Sequence, residues 1–303
     1  MNTSPHTPVL LNTVLEVLDP QPGETYIDVT AGFGGHAAAV LERIGEAGRA
    51  ILIDQDPAAV SSLRERFRDD ARVQVFHQNF ADLDLDTLPP ADMILADLGV
   101  SSLQLDDPAR GFSFRAEGPL DMRMNTDSGV SLQEFLADID EVELADIIWR
   151  FGEERRSRQI ARAIIVARDA GSLQTTVDLA QAIRGQSVGK PGRIDPATRT
   201  FQALRIALNQ ELTALDTLLE IGSHKLAPGG RFAVISFHSL EDRKIKQKMR
   251  DMARDICDTI TGQALQESNY RLLTKKPLTA APSELDYNPR ARSAKLRAVE
   301  KKK

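Results

Sequence analysis

A doubly wound, Rossmann-like α/β sheet interrupted by a helical insertion is the fold class that the sequence predicts. Three observations carry it. Short apolar runs alternate with helical patterns over the first hundred residues, the alternation stops between about 106 and 197, and it resumes at Thr198. Strands alternating with helices are the signature of βαβ units on a parallel sheet.

In chain order, Tyr26-Ile27-Asp28-Val29 is a short apolar run closed by Thr30-Ala31-Gly32-Phe33-Gly34-Gly35. Ala37, Val40, Leu41 and Ile44 then recur at helical spacing. Ala50–Ile53 is a second buried strand, ended by Asp54, and Val60, Leu63 and Phe67 mark the next helix. Val73–Phe76 and Met93–Ala96 are the third and fourth strands. Ser131 with Glu134 forms a capping box for a helix through Ile139. Glu143–Phe151, Arg156–Asp169 and Val177–Arg184 follow as helices, and Gly185–Pro196 reads as a loop. Thr198–Leu226 is expected as one long helix with Leu204, Leu208, Leu212, Leu215 and Leu219 along one side. Pro228-Gly229-Gly230 is a turn into a fifth strand, Arg231–Phe237. Tyr270–Leu273 and Ser293–Val299 are weaker strands, expected as an antiparallel pair at one edge. The implied domains are 1–105 with 198–303, and an inserted helical domain over 106–197.

Gly32-Phe33-Gly34-Gly35-His36-Ala37 falls where the first strand hands over to the first helix. Glycine there permits positive φ and close approach of backbone to a ligand. Asp54 ends strand two, 22 residues beyond Gly32, where a carboxylate can accept hydrogen bonds from ribose hydroxyls. A nucleotide-type ligand is favoured over a plain structural turn. The same letters fit G-x-G-x-x-A, so NAD stays a rival on motif alone, while the antiparallel tail and Gly-Gly-His lean toward S-adenosylmethionine. Asn79-Phe80 after strand three is placed to meet an adenine, or to pack as ordinary core.

Composition excludes several classes. The lone Cys257 rules out a disulfide framework and a Cys-cluster zinc site, and no other ligand cluster suggests a metal. No apolar run approaches the ~18 residues of a membrane span, and the N-terminus lacks signal-peptide character. A reducing, cytoplasmic setting is expected. The net charge of −6 argues against non-specific polyanion binding, but its distribution reverses that inference locally. Residues 150–205 hold eleven basic side chains, including Lys190 and Arg193, against five acidic; residues 284–303 hold seven against three. Ten of the eleven are Arg, which suits bidentate phosphate contact.

From strand four the sequence runs Leu95-Ala96-Asp97-Leu98-Gly99-Val100-Ser101-Ser102-Leu103-Gln104, then Arg110-Gly111-Phe112-Ser113-Phe114 and Gly118-Pro119-Leu120-Asp121-Met122-Arg123-Met124. With His6-Thr7-Pro8-Val9-Leu10-Leu11, Gly34-Gly35-His36, Phe151-Gly152-Glu153-Glu154-Arg155, Pro196–Ala203, Ile235–Arg243 and Asn288–Ser293, it resembles the ribosomal RNA small subunit methyltransferase H family over nearly its whole length. Asn79 and Leu103 stand where some members carry Pro, and 255–285 matches only weakly. The resemblance implies a class I S-adenosylmethionine-dependent methyltransferase sheet. It implies an enzyme that methylates N4 of a cytidine in bacterial 16S rRNA, at the ribosomal P-site and within the small subunit. No membrane and no obligate protein partner enter that picture. By the same resemblance, cofactor contacts fall on Gly34, Gly35, His36, Asp54, Phe80, Asp97 and Gln104.

Cytosine N4 is a poor nucleophile, because its lone pair is delocalised into the ring. Methyl transfer therefore needs in-line approach and a polar acceptor for an N–H. Asp97 is the candidate, either in that role or as a cofactor contact, with His238 second and a structural role the alternative for it. Ser239 with Asp242 is expected to cap the helix that follows. Phe112 and Phe114, flanked by Arg110 and Arg115, either offer faces to an unstacked base or pack the insertion. Gly111 and Gly118 would let that loop move as a lid. Arg199, Arg290 and Arg292 are the candidate RNA contacts. Competing functions are an amino-methyltransferase acting on DNA, an NAD-linked oxidoreductase and a non-catalytic ribosome-assembly factor. Asp97-Leu98-Gly99-Val100 in place of a D/N/S-P-P-Y motif disfavours the first.

Overall fold

The computed structural model describes residues 8–83, 87–186, 195–258 and 264–303. His6, Lys190, Arg193 and most of the loop expected at 185–196 lie outside them. The chain divides into two compact units, Met1–Gly99 with Thr213–Lys303, and Val100–Leu212. Among the described residues, no helix is long and apolar enough to cross a membrane.

The first unit begins with a helix that the apolar pattern did not announce, α1 (Leu11–Leu18), which buries Val14, Leu15 and Leu18. Then come β1 (Thr25–Asp28), α2 (Gly35–Ile44), β2 (Arg49–Asp54), α3 (Pro57–Arg66), β3 (Val73–His77) and β4 (Ala91–Asp97). α3 starts where Asp56 accepts a hydrogen bond from the Ala58 N–H and Pro57 supplies a preset first turn. β1 lies parallel between β2 and β4, with Ile27 opposite Ile51 on one side and Ile94 on the other. Covered on both faces, these strands are continuous apolar runs rather than alternating ones. Tyr26, Ile27, Leu52, Ile53, Met93, Ile94 and Leu95 are fully buried. Truncating one of the aliphatic side chains to Ala costs about 2–5 kcal/mol.

The second unit is helical: α4 (Ser102–Asp106), α5 (Leu132–Asp138), α6 (Glu141–Gly152), α7 (Ser157–Asp169), α8 (Thr176–Arg184) and α9 (Ala197–Leu208). Capping boxes open three of them, at Ser101, Ser131 and Thr175. Their apolar stripes meet in one core containing Leu132, Leu136, Leu144, Ile148, Ile160, Ile164, Leu179, Ile183, Phe201 and Leu204.

The long helix expected from Thr198 to Leu226 is two helices. α9 stops at Leu208, Gln210 adopts φ 51°, and α10 spans Glu211–His224. The break is made by Asn209, whose Oδ1 accepts from the Met124 N–H at 2.8 Å while its Nδ2 donates to the Met122 carbonyl at 2.9 Å. An Asn side chain that satisfies backbone elsewhere competes with helix continuation. This break puts the unit boundary at 212/213 rather than at 197/198, and α9 belongs to the helical core.

The chain then forms β5 (Leu226–Ser236), α11 (Ser239–Met252), the short pair β6 (Ile256–Cys257) and β7 (Ala264–Gln266), β8 (Tyr270–Leu272), α12 (Pro282–Tyr287) and β9 (Lys295–Lys301). Pro228-Gly229-Gly230 is a bulge inside β5 rather than a turn before it. Leu226 faces Ala91 and Arg231 faces Met93, so extra residues loop out on β5, and Gly229 takes φ 84° there. The main sheet runs β3-β2-β1-β4-β5-β9-β8. β9 is antiparallel to both β5 and β8, which gives the expected antiparallel edge.

Candidate active site

Parallel strands β1, β2 and β4 end at one edge of the sheet, and each ends on an aspartate: Asp28, Asp54 and Asp97. That edge is where open α/β sheets place ligands. The glycine turn is tied to it by backbone. Val29 N–H donates to the Leu95 carbonyl and Ala31 N–H to the Ile53 carbonyl, both at 3.0 Å. Gly32 (φ 53°) donates its N–H to Asp54 Oδ2 at 2.8 Å, and the Asp56 N–H reaches Asp54 Oδ1 at 2.9 Å. Asp54 thus locks the turn as well as standing beside it. Gly34 (φ 75°) precedes α2, and a Cβ there would come within 2.7 Å of the Phe67 ring. A Cβ on Gly35 would fall 2.4 Å from Pro8. Both glycines are required by packing inside the protein.

His36, buried in the first turn of α2, holds the Val9 carbonyl through Nε2 at 3.0 Å and places Nδ1 4.0 Å from Asp97 Oδ2. The Asp97 backbone N–H donates to Thr30 Oγ1 at 2.5 Å. Its Oδ1, shielded from solvent, has no hydrogen-bond partner. Asp28, fully buried, accepts from Tyr26 Oη at 2.8 Å and from the Thr30 N–H at 3.2 Å. Burial is the first cause of the shifts here. It pushes Asp28 up to about 7, against the Tyr26 hydroxyl and the Thr30 N–H, and Asp54 up to about 6, against the Asp56 and Gly32 N–H groups. Asp97 is raised well above the usual carboxylate range by burial, then by the charges of Asp28 and Glu241. Phe80, after β3, is buried, with Asn79 donating to Gln55 Oε1 at 3.1 Å.

Such a cluster is matched by a ligand that brings positive charge and hydrogen-bond donors. The model of the MraW methylase family matches residues 3–302. The chain belongs to the MraW methylase family. Two similar proteins are each named Ribosomal RNA small subunit methyltransferase H. That of Sorangium cellulosum is 48% identical over 300 residues, covering 97% of this chain and 90% of its own. That of Acidobacterium capsulatum is 45% identical over 312 residues and covers both chains fully. A solved SAM-dependent O-methyltransferase of Thermotoga maritima is 9% identical with a TM-score of 0.41, covering 100% of this chain and 69% of its own.

In this MraW-family methylase, the donor set suits S-adenosylmethionine. The unpartnered Asp97 Oδ1 lacks a donor, the ammonium and sulfonium are cations, and Asp54 retains lone pairs for ribose hydroxyls. Asp28, Thr30, Tyr26 and Glu241 were missed in the sequence as site residues. For Asp28 the signal was a carboxylate ending strand one four residues before Gly32; Tyr26, Thr30 and Glu241 carry no local signal.

Several expectations are corrected. His238, not Ser239, caps α11: its Nδ1 accepts from the Glu241 N–H at 3.4 Å, and Glu241 Oε2 accepts from the Phe237 N–H at 2.8 Å. Asp242 instead pairs with Arg297 at 2.7 Å. Gln104, in the helical unit, is buried, and its Oε1 accepts the Ser101 N–H at 2.8 Å. Phe112 is buried in the helical core, and Phe114 packs edge-on against Phe201 at 4.7 Å with Arg184 over its ring. Phe112 is thereby packed as core, whereas Phe114 is half-buried beside Phe201 and Arg184. Gly111 and Gly118, expected as hinges of a lid, sit where the backbone is tightly packed. A Cβ at Gly118 would lie 1.9 Å from the Pro108 carbonyl oxygen, and Arg110 donates to the Arg123 and Met124 carbonyls, so the loop is stitched closed. Arg199 is 57% exposed, 3.8 Å from Glu154. Arg290 and Arg292 are exposed in a 3-10 turn, Pro289–Ser293. Part of the basic tail is internal: Arg297 is buried on Asp242, and Lys301 donates to the Leu226 carbonyl.

Proposed function

We propose that this chain transfers a methyl group from S-adenosylmethionine to the exocyclic N4 of a cytidine in bacterial 16S rRNA, in the P-site region of the small subunit. The observation that carries the proposal is the buried, unpartnered Asp97 Oδ1 at the end of β4, in a chain whose full-length relatives are named as small-subunit rRNA methyltransferases. S-adenosylmethionine supplies, when bound, an electrophilic methyl carbon on a sulfonium. Asp54 and the glycine turn it locks hold the ribose and methionine portions. Asp97 takes an N–H, either from the amino end of the cofactor or from the cytosine amine. In the second case the acceptor draws the nitrogen toward a pyramidal geometry; the N–C bond forms as the C–S bond breaks, and the surplus proton passes to Asp97 or through it to water. A cationic ligand beside Asp97 opposes the effects that raise its pKa and keeps the carboxylate in its accepting form. Exposed arginines of the helical unit, Arg199 among them, and Arg290 and Arg292 of the tail contact rRNA phosphates. A cytoplasmic location, with the ribosomal subunits, goes with this reading.

The test is product identity. The protein is incubated with labelled S-adenosylmethionine and small ribosomal subunits lacking the modification, and the digested nucleosides are analysed by mass spectrometry. N4-methylcytidine is expected. Cofactor binding with no N4-methylcytidine would overturn the proposal.

A further inference from the structure

The chain has one tryptophan, Trp149, in the last turn of α6. It is 55% exposed, while Leu144 and Ile148 of the same helix are fully buried. An exposed indole offers a flat face on which another ring can stack. The segment that follows it in the chain carries an excess of positive charge. Between residues 149 and 162 there are five Arg and two Glu. Arg150 is paired with Asp146 at 3.2 Å, and Arg156 donates to the Gln186 carbonyl at 2.5 Å. Arg155, Arg158 and Arg162 are exposed, and none has an ion pair or side-chain hydrogen bond among the described residues. Arg158 and Arg162 share a face of α7, about 6 Å apart along its axis. α7 begins without a side-chain cap from Arg156, and the Glu154 carboxylate accepts the Arg156 N–H at 3.0 Å at that end.

We infer that Trp149 with Arg155, Arg158 and Arg162 is a landing for an unpaired nucleotide of the substrate RNA. The indole stacks on the free face of a base, and the three guanidiniums hold the phosphates on either side. An indole has no partner in a fully paired duplex, whose base faces are already stacked, so the landing selects loops and single strands. The charge excludes an apolar or basic partner. The inference rests on the RNA reading above but concerns binding rather than chemistry.

Because Trp149 is the only tryptophan, its emission reports on this surface alone. The full chain is titrated with a single-stranded RNA and with a blunt duplex of equal length, following both Trp149 emission and RNA anisotropy. Quenching by the single strand and little change with the duplex are expected. Trp149→Ala should weaken single-strand binding about 5- to 100-fold, with Trp149→Tyr recovering most of it. Replacing Arg155, Arg158 and Arg162 by Ala should reduce the slope of log affinity against log salt by about two. S-adenosylmethionine affinity should stay at the wild-type value in every variant, and helical circular dichroism unchanged from the wild type reports that the substituted unit is folded. RNA binding with unchanged emission and undiminished affinity in Trp149→Ala would overturn the inference. Emission that responds only to assembled subunits and not to RNA would assign the face to a protein, and equally overturn it. Quenching and the expected losses without any N4-methylcytidine on any rRNA would sustain the landing and sink the proposed reaction instead.

Discussion

At the carboxyl ends of the strands, Asp28, Asp54 and Asp97 sit among buried groups with their pKa values pushed up, whereas between Arg155 and Arg162 three exposed cations have no ion pair or side-chain hydrogen bond among the described residues. The two arrangements carry information differently. A buried carboxylate is costly unless something matches it, so each one left short of donors points individually to a ligand. An exposed Arg costs little and means little alone; only several of one sign on one surface identify a polyanion. The contrast also corrects the charge map of the helical unit. Residues 100–149 hold three basic side chains against eleven acidic, so the basic character belongs to its second half and not to the insertion as a whole.

Substitutions can break this comparison in order of size. Asp97→Asn keeps the shape and removes the accepting charge; methyl transfer should fall by about 10²–10⁴-fold in single-turnover assays. If S-adenosylmethionine affinity falls with it, Asp97 holds the cofactor; if affinity is kept, it serves the cytosine amine. Asp54→Ala unlocks Gly32 and removes the ribose acceptor, and calorimetry should show cofactor binding weakened about 10- to 100-fold with RNA affinity unchanged. Equal affinity would contradict the ribose assignment. Asp28 supplies a pH test. Its folded pKa is raised from 3.8 to about 7, so the native state holds a proton that the unfolded chain has released, and the stability Asp28 contributes is lost as pH rises across that window. Asp28→Asn should therefore gain on the wild type between about pH 4 and 7 in denaturant melts; a constant difference would show that Asp28 ionises normally. Ser131→Ala removes a capping box in the helical unit and should cost about 1 kcal/mol with cofactor affinity intact. Arg199→Ala, at an exposed position, should raise the KM for rRNA only a few-fold.

The sheet was legible because each parallel strand is a bounded apolar run, and the glycine turn and Asp54 were legible because their spacing reflects a fixed βαβ geometry. The break at Asn209 was not. Its cause is a pair of hydrogen bonds to Met122 and Met124, more than eighty residues away, while the leucines on either side keep helical spacing. The cap at His238 was read one residue late for a similar reason: Ser is the commoner cap, and only the coordinates show Glu241 closing the box from the third helical position. At the site, Asp97 was legible from its place at a strand end. Asp28 was absorbed into its strand, because nothing local reveals that Tyr26 and Thr30 turn toward its carboxylate. Phe112 and Phe114 looked equally suited to core and to surface, since aromatic residues serve both.

The division between a cofactor-holding edge and an RNA-holding helical surface is tested most directly by one steady-state methyl-transfer assay that yields both KM values for two variants. Asp54→Ala is expected to raise the KM for S-adenosylmethionine and leave that for rRNA. Combined substitution of Arg155, Arg158 and Arg162 by Ala is expected to do the reverse. Both KM values rising together in either variant would contradict the division.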